Sequence, residues 1–191
     1  MSYLIQISTA LLLAVLIAQV LRGQTFFRVA LFLPKVLSVS VVAVVWGRIY
    51  DPFIGIVNMA LRGVGLDSVA RGWLGDPTWA LPAIQVAHSW NGYGWYMVVY
   101  LAALQAIEPV LYEAADIEGA SGWQKFRWIT LPGIRHVHTL VLVLSMINSL
   151  QAFGTIWAMT QGGPFHASEV ISTHIYKTAF GVNQVGYGAA M

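Results

Sequence analysis

The segment that decides the fold runs from Glu113 to Pro132 and reads EAADIEGASGWQKFRWITLP. It is a long polar segment that lies between two apolar runs. Pro109 suits the first turn of a helix, where a missing N–H costs little, and Gly119 suits the position just past a helix end. We therefore expect a short helix over residues 109–118.

The expected helix has a surface suited to docking. Glu113 and Asp116 are three residues apart and share one face, and the two alanines between them leave room for another backbone to come close. A second short helix is expected over residues 123–129. Pro132 should end it, after which the chain returns to apolar sequence.

The composition indicates a membrane protein. Of the 191 residues, 58% are hydrophobic and only 9% are charged, and the apolar residues come in long blocks. A helix needs about 20 apolar residues to cross a hydrocarbon layer of roughly 30 Å. The sequence thus predicts an all-α, polytopic membrane helix bundle with a loop of short helices between two spans. The expected spans are residues 3–21, 29–46, 79–107 and 137–159.

Several kinds of chemistry are excluded or disfavoured. The net charge of +2 is too small to indicate nucleic-acid binding, and the basic residues are scattered instead of forming a patch. Without cysteine the chain has no disulfide or thiol chemistry. No lysine follows a phosphate-binding glycine loop, so an ATPase motor would be another chain and no cofactor is expected. His136 and His138 have no carboxylate or cysteine near them in sequence, which favours a basic cluster at a membrane boundary over a metal site.

The polar segment resembles the signature loop of the integral-membrane permease subunits of binding-protein-dependent ABC importers. That loop reads Glu-Ala-Ala, three residues, Gly, nine residues, Ile, one residue, Leu-Pro. Carbohydrate members usually have Asp before the glycine, where this chain keeps the charge with Glu118. The matching positions are Glu113, Ala114, Ala115, Gly119, Ile129, Leu131 and Pro132.

Further stretches are similar to carbohydrate-importer permeases of the maltose-transporter type. Such permeases usually have six or more spans. We therefore interpret residues 1–191 as a single transmembrane permease domain that lacks a span at each end. The similar stretches are residues 21–28, 162–164, 175–180 and 186–190.

The resemblance implies partners and a location. The coupling loop, residues 108–136, would face the cytoplasm and dock on an ABC ATPase dimer. The chain would pair with a second permease subunit among the lipids of a bacterial or archaeal plasma (inner) membrane, and an extracytoplasmic solute-binding protein would deliver the solute. Lys and Arg, six on the side of the loop against four on the other, agree with this orientation. An ATPase-coupling role is implied for Glu113, Ala114, Ala115, Asp116, Gly119, Leu131 and Pro132.

Uncharged polar residues lie near mid-depth in the third and fourth spans, at helical spacing. Polar groups at that depth must face protein or water, although they could simply hydrogen-bond helix to helix. We interpret them as a pathway for a hydroxyl-rich ligand, because amide, imidazole and aromatic groups suit a sugar. The resemblance agrees, since maltose-type permeases hold substrate with these two helices. The expected pathway residues are His88, Asn91, Trp95, Ser145, Asn148 and Gln151.

The resemblance thus implies a non-enzymatic permease subunit that passes a sugar or polyol into the cytoplasm. Two alternatives stay open. The solute could be a non-sugar such as a phosphodiester, a polyamine or an amino acid. The chain could also be an ATP-independent channel or carrier, although every Asp and Glu lies outside the expected spans, which argues against a carrier.

Overall fold

A computed structural model describes residues 2–19 and 23–191. Within these residues the regular elements are all helical, which confirms the prediction of an all-α chain. Val20, Leu21 and Arg22, where the first expected span ends and one of the similar stretches begins, lie outside the described residues.

The helices run through the chain with short connections. A 3-10 turn at Asp67–Val69 and π-helical turns at Phe126–Thr130 and Lys177–Gly181 accompany them. In chain order the helices are α1 (Ser2–Gln19), α2 (Gln24–Val36), α3 (Val39–Ile49), α4 (Ile56–Gly63), α5 (Ala80–Gln105), α6 (Pro109–Ile117), α7 (Gly122–Lys125), α8 (Leu131–Gly133), α9 (Arg135–Leu150), α10 (Phe153–Met159), α11 (Ile171–Tyr176) and α12 (Val185–Ala190).

The second and fourth expected spans are each divided. Residues 29–46 fall on α2 and α3, which meet at a bend of 100°. Pro34 lacks an N–H in the last turns of α2, and Ser38 starts α3 by accepting a hydrogen bond from the Val41 N–H at 3.4 Å. Residues 137–159 fall on α9 and α10, because Ala152 leaves the helical region with φ −73° and ψ 52°.

The sequence predicted that Pro132 would end the second short helix, but the helix continues past Pro132. Pro132 lies in the first turn of α8, where a missing N–H is tolerated, and α7, the π-helical turn and α8 follow one another without a break. The chain changes direction two residues later, at Ile134, where φ is −94° and ψ is 4°.

The third expected span, residues 79–107, corresponds to the 26-residue helix α5. In the described ranges, none of the helices taken singly has both the length and the apolar character to cross a membrane. Three bent pairs of neighbouring helices do meet that requirement by length and composition. They are α2 with α3, α5 with α6, and Gly122–Gly133 with α9.

The chain forms two compact units. The first draws on Met1–Val36 and Ser89–Ile147. Its core lies between α1, the second half of α5 and the start of α9, and contains the fully buried Tyr100. Small residues on α1 let these helices approach closely. The other buried members are Ile7, Ala10, Ala14, Ile17, Tyr96, Met97, Leu101, Ile134 and Val141.

The second unit draws on Leu37–His88 and Asn148–Met191, and α3 packs against α10 within it. Asn58 organises its loop before α5. The Asn58 amide donates to the Pro52 and Arg71 carbonyls at 3.2 and 2.8 Å, and its Oδ1 accepts from the Arg71 N–H at 3.3 Å and from Trp73 Nε1 at 2.8 Å. With only 1% of its surface exposed, Asn58 is a buried polar residue whose side-chain atoms are hydrogen-bonded.

Candidate functional site

Local sequence signals define both ends of α6. Glu108 precedes it with extended backbone angles, and Pro109 occupies its first position. At the other end Gly119 has φ +75°. The Gly119 N–H bonds the Asp116 carbonyl at 3.1 Å and the Ala120 N–H bonds the Ala115 carbonyl at 2.9 Å, the pair of bonds of a Schellman cap. The predicted helix over residues 109–118 and its glycine cap are both observed.

The second arm of the loop begins with a capping box that the sequence reading missed. The Ser121 N–H donates to Gln124 Oε1 at 2.7 Å, and Ser121 Oγ accepts from the Gln124 N–H at 3.4 Å. Ser-x-x-Gln is a recognised signal for a helix start, so it could have placed the start of α7 at Gly122 instead of Trp123.

Two side-chain contacts join the arms. Lys125 Nζ lies 2.6 Å from Asp116 Oδ1, and Tyr112 Oη lies 2.9 Å from Thr130 Oγ1. Asp116, expected on the docking face, is therefore held by a cation of its own chain. Spacing along the chain does not suggest either pair, because nine and eighteen residues separate their members.

The remaining expected coupling residues lie on the surface of this loop. Glu113, Ala114 and Pro132 are exposed, and Ala115 and Leu131 are half-buried. Large apolar side chains stand beside them. Ile117 is 88% exposed, Trp123 70% and Trp128 71%. Glu113 and Asp116 also border a cavity of about 540 Å³ whose wall includes Tyr112 and Thr130.

Two expected pathway residues of the first unit, Asn91 and Ser145, form hydrogen bonds within the chain. The Asn91 amide donates to the Pro34 carbonyl at 2.6 Å. Pro34 lies in the last turn of α2, where the backbone carbonyls have no N–H partner within the helix. Ser145 is 1% exposed and its Oγ donates to the Leu142 carbonyl at 2.8 Å. Trp95 is 46% exposed.

The pathway residues of the second unit are His88, Asn148 and Gln151. His88 Nδ1 lies 3.2 Å from Thr155 Oγ1, a contact between α5 and α10, while Asn148 and Gln151 are exposed. His88 and Asn91 thus form the helix-to-helix hydrogen bonds that the sequence analysis considered as the alternative to a solute pathway. The solute pathway stays a prediction.

Aromatic side chains on α10, on α11 and on the π-helical turn that follows α11 form a cluster that the sequence analysis did not predict. Trp157 stacks on Phe153 with ring centroids 5.4 Å apart, and Tyr176 meets Trp157 edge-on at 4.7 Å. Phe180 lies 5.2 Å from Tyr176. The Phe153–Trp157 and Tyr176–Phe180 pairs are each four residues apart along the chain, but only the fold brings the α10 pair against Tyr176.

The connection between α10 and α11 centres on Glu169. Its carboxylate lies 2.8 Å from His166 Nδ1, 3.5 Å from His174 Nδ1 and 3.0 Å from Lys177 Nζ. Burial raises the pKa of this carboxyl, but the contacts from Lys177 and His166 outweigh burial and hold the pKa below its usual value. This carboxylate therefore stays charged and ties the loop to α11.

Comparison with known proteins assigns the chain to a family. Residues 6–190 match the family described as binding-protein-dependent transport system inner membrane component. The chain belongs to this family. The resemblance of the Glu113–Pro132 segment to importer permeases is thereby confirmed.

Relatives of this transport component include permeases of sugar uptake systems. The chain is 35% identical over 192 residues to the probable ABC transporter permease protein YurN of Bacillus subtilis, and the match covers 100% of this chain and 66% of that protein. It is 36% identical to the diacetylchitobiose uptake system permease protein NgcF of Streptomyces coelicolor, covering 90% of this chain and 49% of NgcF. The transport component thus spans about half to two thirds of the length of these relatives.

A solved structure has the same fold. The transport component superimposes with a TM-score of 0.90 and 31% sequence identity on a chain of a bacterial alginate ABC transporter. That structure contains a periplasmic protein bound to an alginate pentasaccharide. The match covers 99% of this chain and 66% of the other. The fold is thus that of the membrane permeases of ABC importers.

Proposed function

We propose that this chain is the membrane-embedded part of a permease subunit of an ABC importer for saccharides. The observation that carries the proposal is the exposed α6 loop, with its Glu-Ala-Ala segment, in a chain related to saccharide permeases. In the proposed arrangement α5 and α9 lie in the inner membrane, and the loop that carries α6 faces the ATPase outside it. A second permease, an ABC ATPase dimer and an extracytoplasmic binding protein complete the transporter.

Coupling would pass through α6. Pro109 begins it and the Schellman bonds at Gly119 cap its C-terminal end within the chain. Glu113 supplies a charge for a cationic partner group, and the Ala114–Ala115 surface allows close backbone approach. The exposed Trp123 and Trp128 side chains would add apolar area at the same interface. ATP-driven closure of the ATPase dimer would then move α6, and with it α5 and α9.

Saccharide transport is supported by the side chains of the second unit as well as by the similarity to saccharide permeases. Sugar rings present hydroxyl groups at their edges and C–H groups on their faces, which suit amide or imidazole groups and aromatic faces respectively. The second unit carries His88, Asn148 and Gln151 and the aromatic cluster around Trp157 and Tyr176. NgcF is named for diacetylchitobiose, and the alginate transporter structure holds a pentasaccharide-bound periplasmic protein.

The direct test is ATP hydrolysis by the reconstituted transporter with its binding protein. The panel should contain neutral oligosaccharides, an acidic oligosaccharide, a polyol, a polyamine, an amino acid and a glycerophosphodiester. We expect stimulation by one saccharide or polyol class together with its uptake into vesicles. Stimulation by the amine, amino acid or phosphodiester alone would reject the saccharide assignment. Uptake without any ATPase would instead indicate a channel or carrier.

Two substitutions test the coupling surface. Glu113→Lys should remove a charge-assisted contact worth about 1.5–3 kcal/mol, and Ala115→Trp should block approach of the ATPase. Glu108→Lys is the matched control, because Glu108 is exposed on the same segment and makes no side-chain capping bond. We expect the first two variants, and not the control, to lose ATPase co-purification or stimulation. Normal stimulation in both variants would refute the docking assignment.

A further inference from the structure

The loop that docks on the ATPase in the proposed function is the tip of a longer helical hairpin. Residues 100–138, here called the coupling hairpin, fold back on themselves about residues 119–121. Four contacts join its arms, and the members of each pair are nearly equidistant from that turn. The pairs are Tyr100 with His138, Ile107 with Gly133, Tyr112 with Thr130, and Asp116 with Lys125.

The pairs change in character from the core to the tip of the hairpin. Tyr100 is fully buried and its Oη lies 2.7 Å from His138 Nδ1. Next, the Ile107 side chain lies against Gly133, where an added Cβ would stand 2.9 Å from its Cδ1. At the tip, the Asp116 side chain is 61% exposed. Contacts therefore join the two arms from the protein core to the surface.

Thr130 lies between the buried end of the hairpin and its exposed tip. It is 7% exposed and its Oγ1 donates to the Lys125 carbonyl at 3.4 Å, which leaves the Tyr112 hydroxyl to donate to Thr130. Lys125 is thus held at its carbonyl by Thr130 and at its ammonium by Asp116. The bond runs to the residue that precedes the π-helical turn Phe126–Thr130, so it spans that turn.

We propose that Thr130 and Tyr112 are positioning residues that make the coupling hairpin move as one body. A docked partner touches only the tip, whereas α5 and α9 continue into the core. A hairpin that flexed at the π-helical turn would absorb a displacement of α6. The Tyr112–Thr130–Lys125 chain of hydrogen bonds closes the hairpin at that turn, so displacement of the tip reaches both arms. This inference rests on the proposed function of α6 as the docking element.

Spin-label distances test the rigidity directly. The chain has no cysteine, so Val110→Cys and Arg127→Cys place one label on each arm at exposed side chains that are not among those assigned to the docking surface. The distance distribution is measured in the assembled transporter without nucleotide and after trapping with ATP and vanadate. We expect a narrow distribution that is the same in both states. A distance that shifts on trapping in the otherwise unchanged hairpin would overturn the proposal.

Substitutions identify the bond responsible. Thr130→Val and Tyr112→Phe should each broaden the distribution and make it shift on trapping, while Thr130→Ser, which keeps the hydroxyl, should restore the narrow form. Thr139→Val is the matched control, because its hydroxyl bonds the Arg135 carbonyl of its own helix at 3.0 Å. Distributions in Thr130→Val and Tyr112→Phe that equal those of the control would refute the positioning role.

Co-purification of the ATPase separates this inference from the proposed function. If the ATPase does not bind the unsubstituted transporter, the docking assignment fails, and the nucleotide-free comparison of Thr130→Val with Thr130→Ser still tests the hairpin. If the ATPase binds every variant but the distributions do not differ, only the positioning role fails. Thermal unfolding of each variant in detergent confirms that the helices remain folded before the distances are compared.

Discussion

The Asp116 carboxylate and the Lys125 ammonium lie 2.6 Å apart across the turn that separates α6 from α7. Their pairing closes the tip of the coupling hairpin from the inside. Asp116 shares a helix face with Glu113, yet only Glu113 is left there without an ion pair among the described residues. The charge offered to a docking partner is therefore that of Glu113.

Removing the Asp116–Lys125 pair should have a small, non-additive effect on stability. The Asp116 side chain is 61% exposed, and exposed ion pairs contribute about 0.2–1 kcal/mol. We expect Asp116→Asn, Lys125→Gln and the double variant to lose similar amounts in chemical unfolding. Additive losses from the two single variants would contradict a direct pair.

Gly119→Val should destabilise the hairpin by more than about 1 kcal/mol. The reason is conformational, because φ is +75° and an added Cβ would meet nothing within 4 Å. Gly119→Asn, which tolerates this conformation, should cost less. Gly122→Ala is the matched control in equally open space without a positive φ, and it should be neutral or stabilising. Equal unfolding midpoints for the valine and asparagine variants would refute the argument.

Asn58→Leu should destabilise the loop before α5 by about 2–4 kcal/mol, because it removes four hydrogen bonds and leaves the half-buried Arg71 and Trp73 groups without their partner, while the Pro52 carbonyl keeps its bond from Arg62. Asn58→Asp keeps the acceptor for the Arg71 and Trp73 N–H groups but sets a buried carboxylate oxygen against the Pro52 and Arg71 carbonyls, so it should also destabilise the loop. Hydrogen exchange of residues 52–73 is the measurement. Unchanged protection in the leucine variant would show that the loop is held by other contacts.

Glu169→Gln should reduce stability in a pH-dependent way. Because the folded-state pKa of Glu169 is lowered, its contribution is present above the carboxyl pKa of the unfolded chain, about 4.3, and is lost as pH falls through the folded-state value. The groups facing it are His166, His174 and Lys177. Thermal unfolding should separate the variant from the unsubstituted protein near neutral pH and not in strong acid. A separation independent of pH would contradict this.

Substitutions along the predicted pathway should divide into two kinds. Asn91→Leu frees the Pro34 carbonyl at the end of α2, so it should cost about 1–3 kcal/mol of stability as well as activity. Gln151→Leu, at an exposed position, should leave stability unchanged while uptake of the saccharide identified by the panel falls. Unchanged uptake in a double variant, Asn148→Leu with Gln151→Leu, would reject the pathway.

The sequence determined those features that depend on near neighbours along the chain. Pro109 and Gly119 predicted where α6 begins and ends, because helix termini are set by missing donors and by a positive φ that glycine accepts. Glu113, Ala114 and Ala115 with their spaced Gly and Leu-Pro partners indicated the family, which the match over residues 6–190 confirms. Long apolar blocks predicted helices throughout.

Only the tertiary structure decided where apolar runs bend and which polar groups meet. Hydropathy averages over a window, so it did not register the 100° bend between α2 and α3, where Ser38 starts a new helix and Asn91, far along the chain, bonds the Pro34 carbonyl. Spacing likewise could not pair Tyr112 with Thr130 or His88 with Thr155. Such contacts depend on helices packing side by side, and periodicity indicates which face is buried without indicating what covers it.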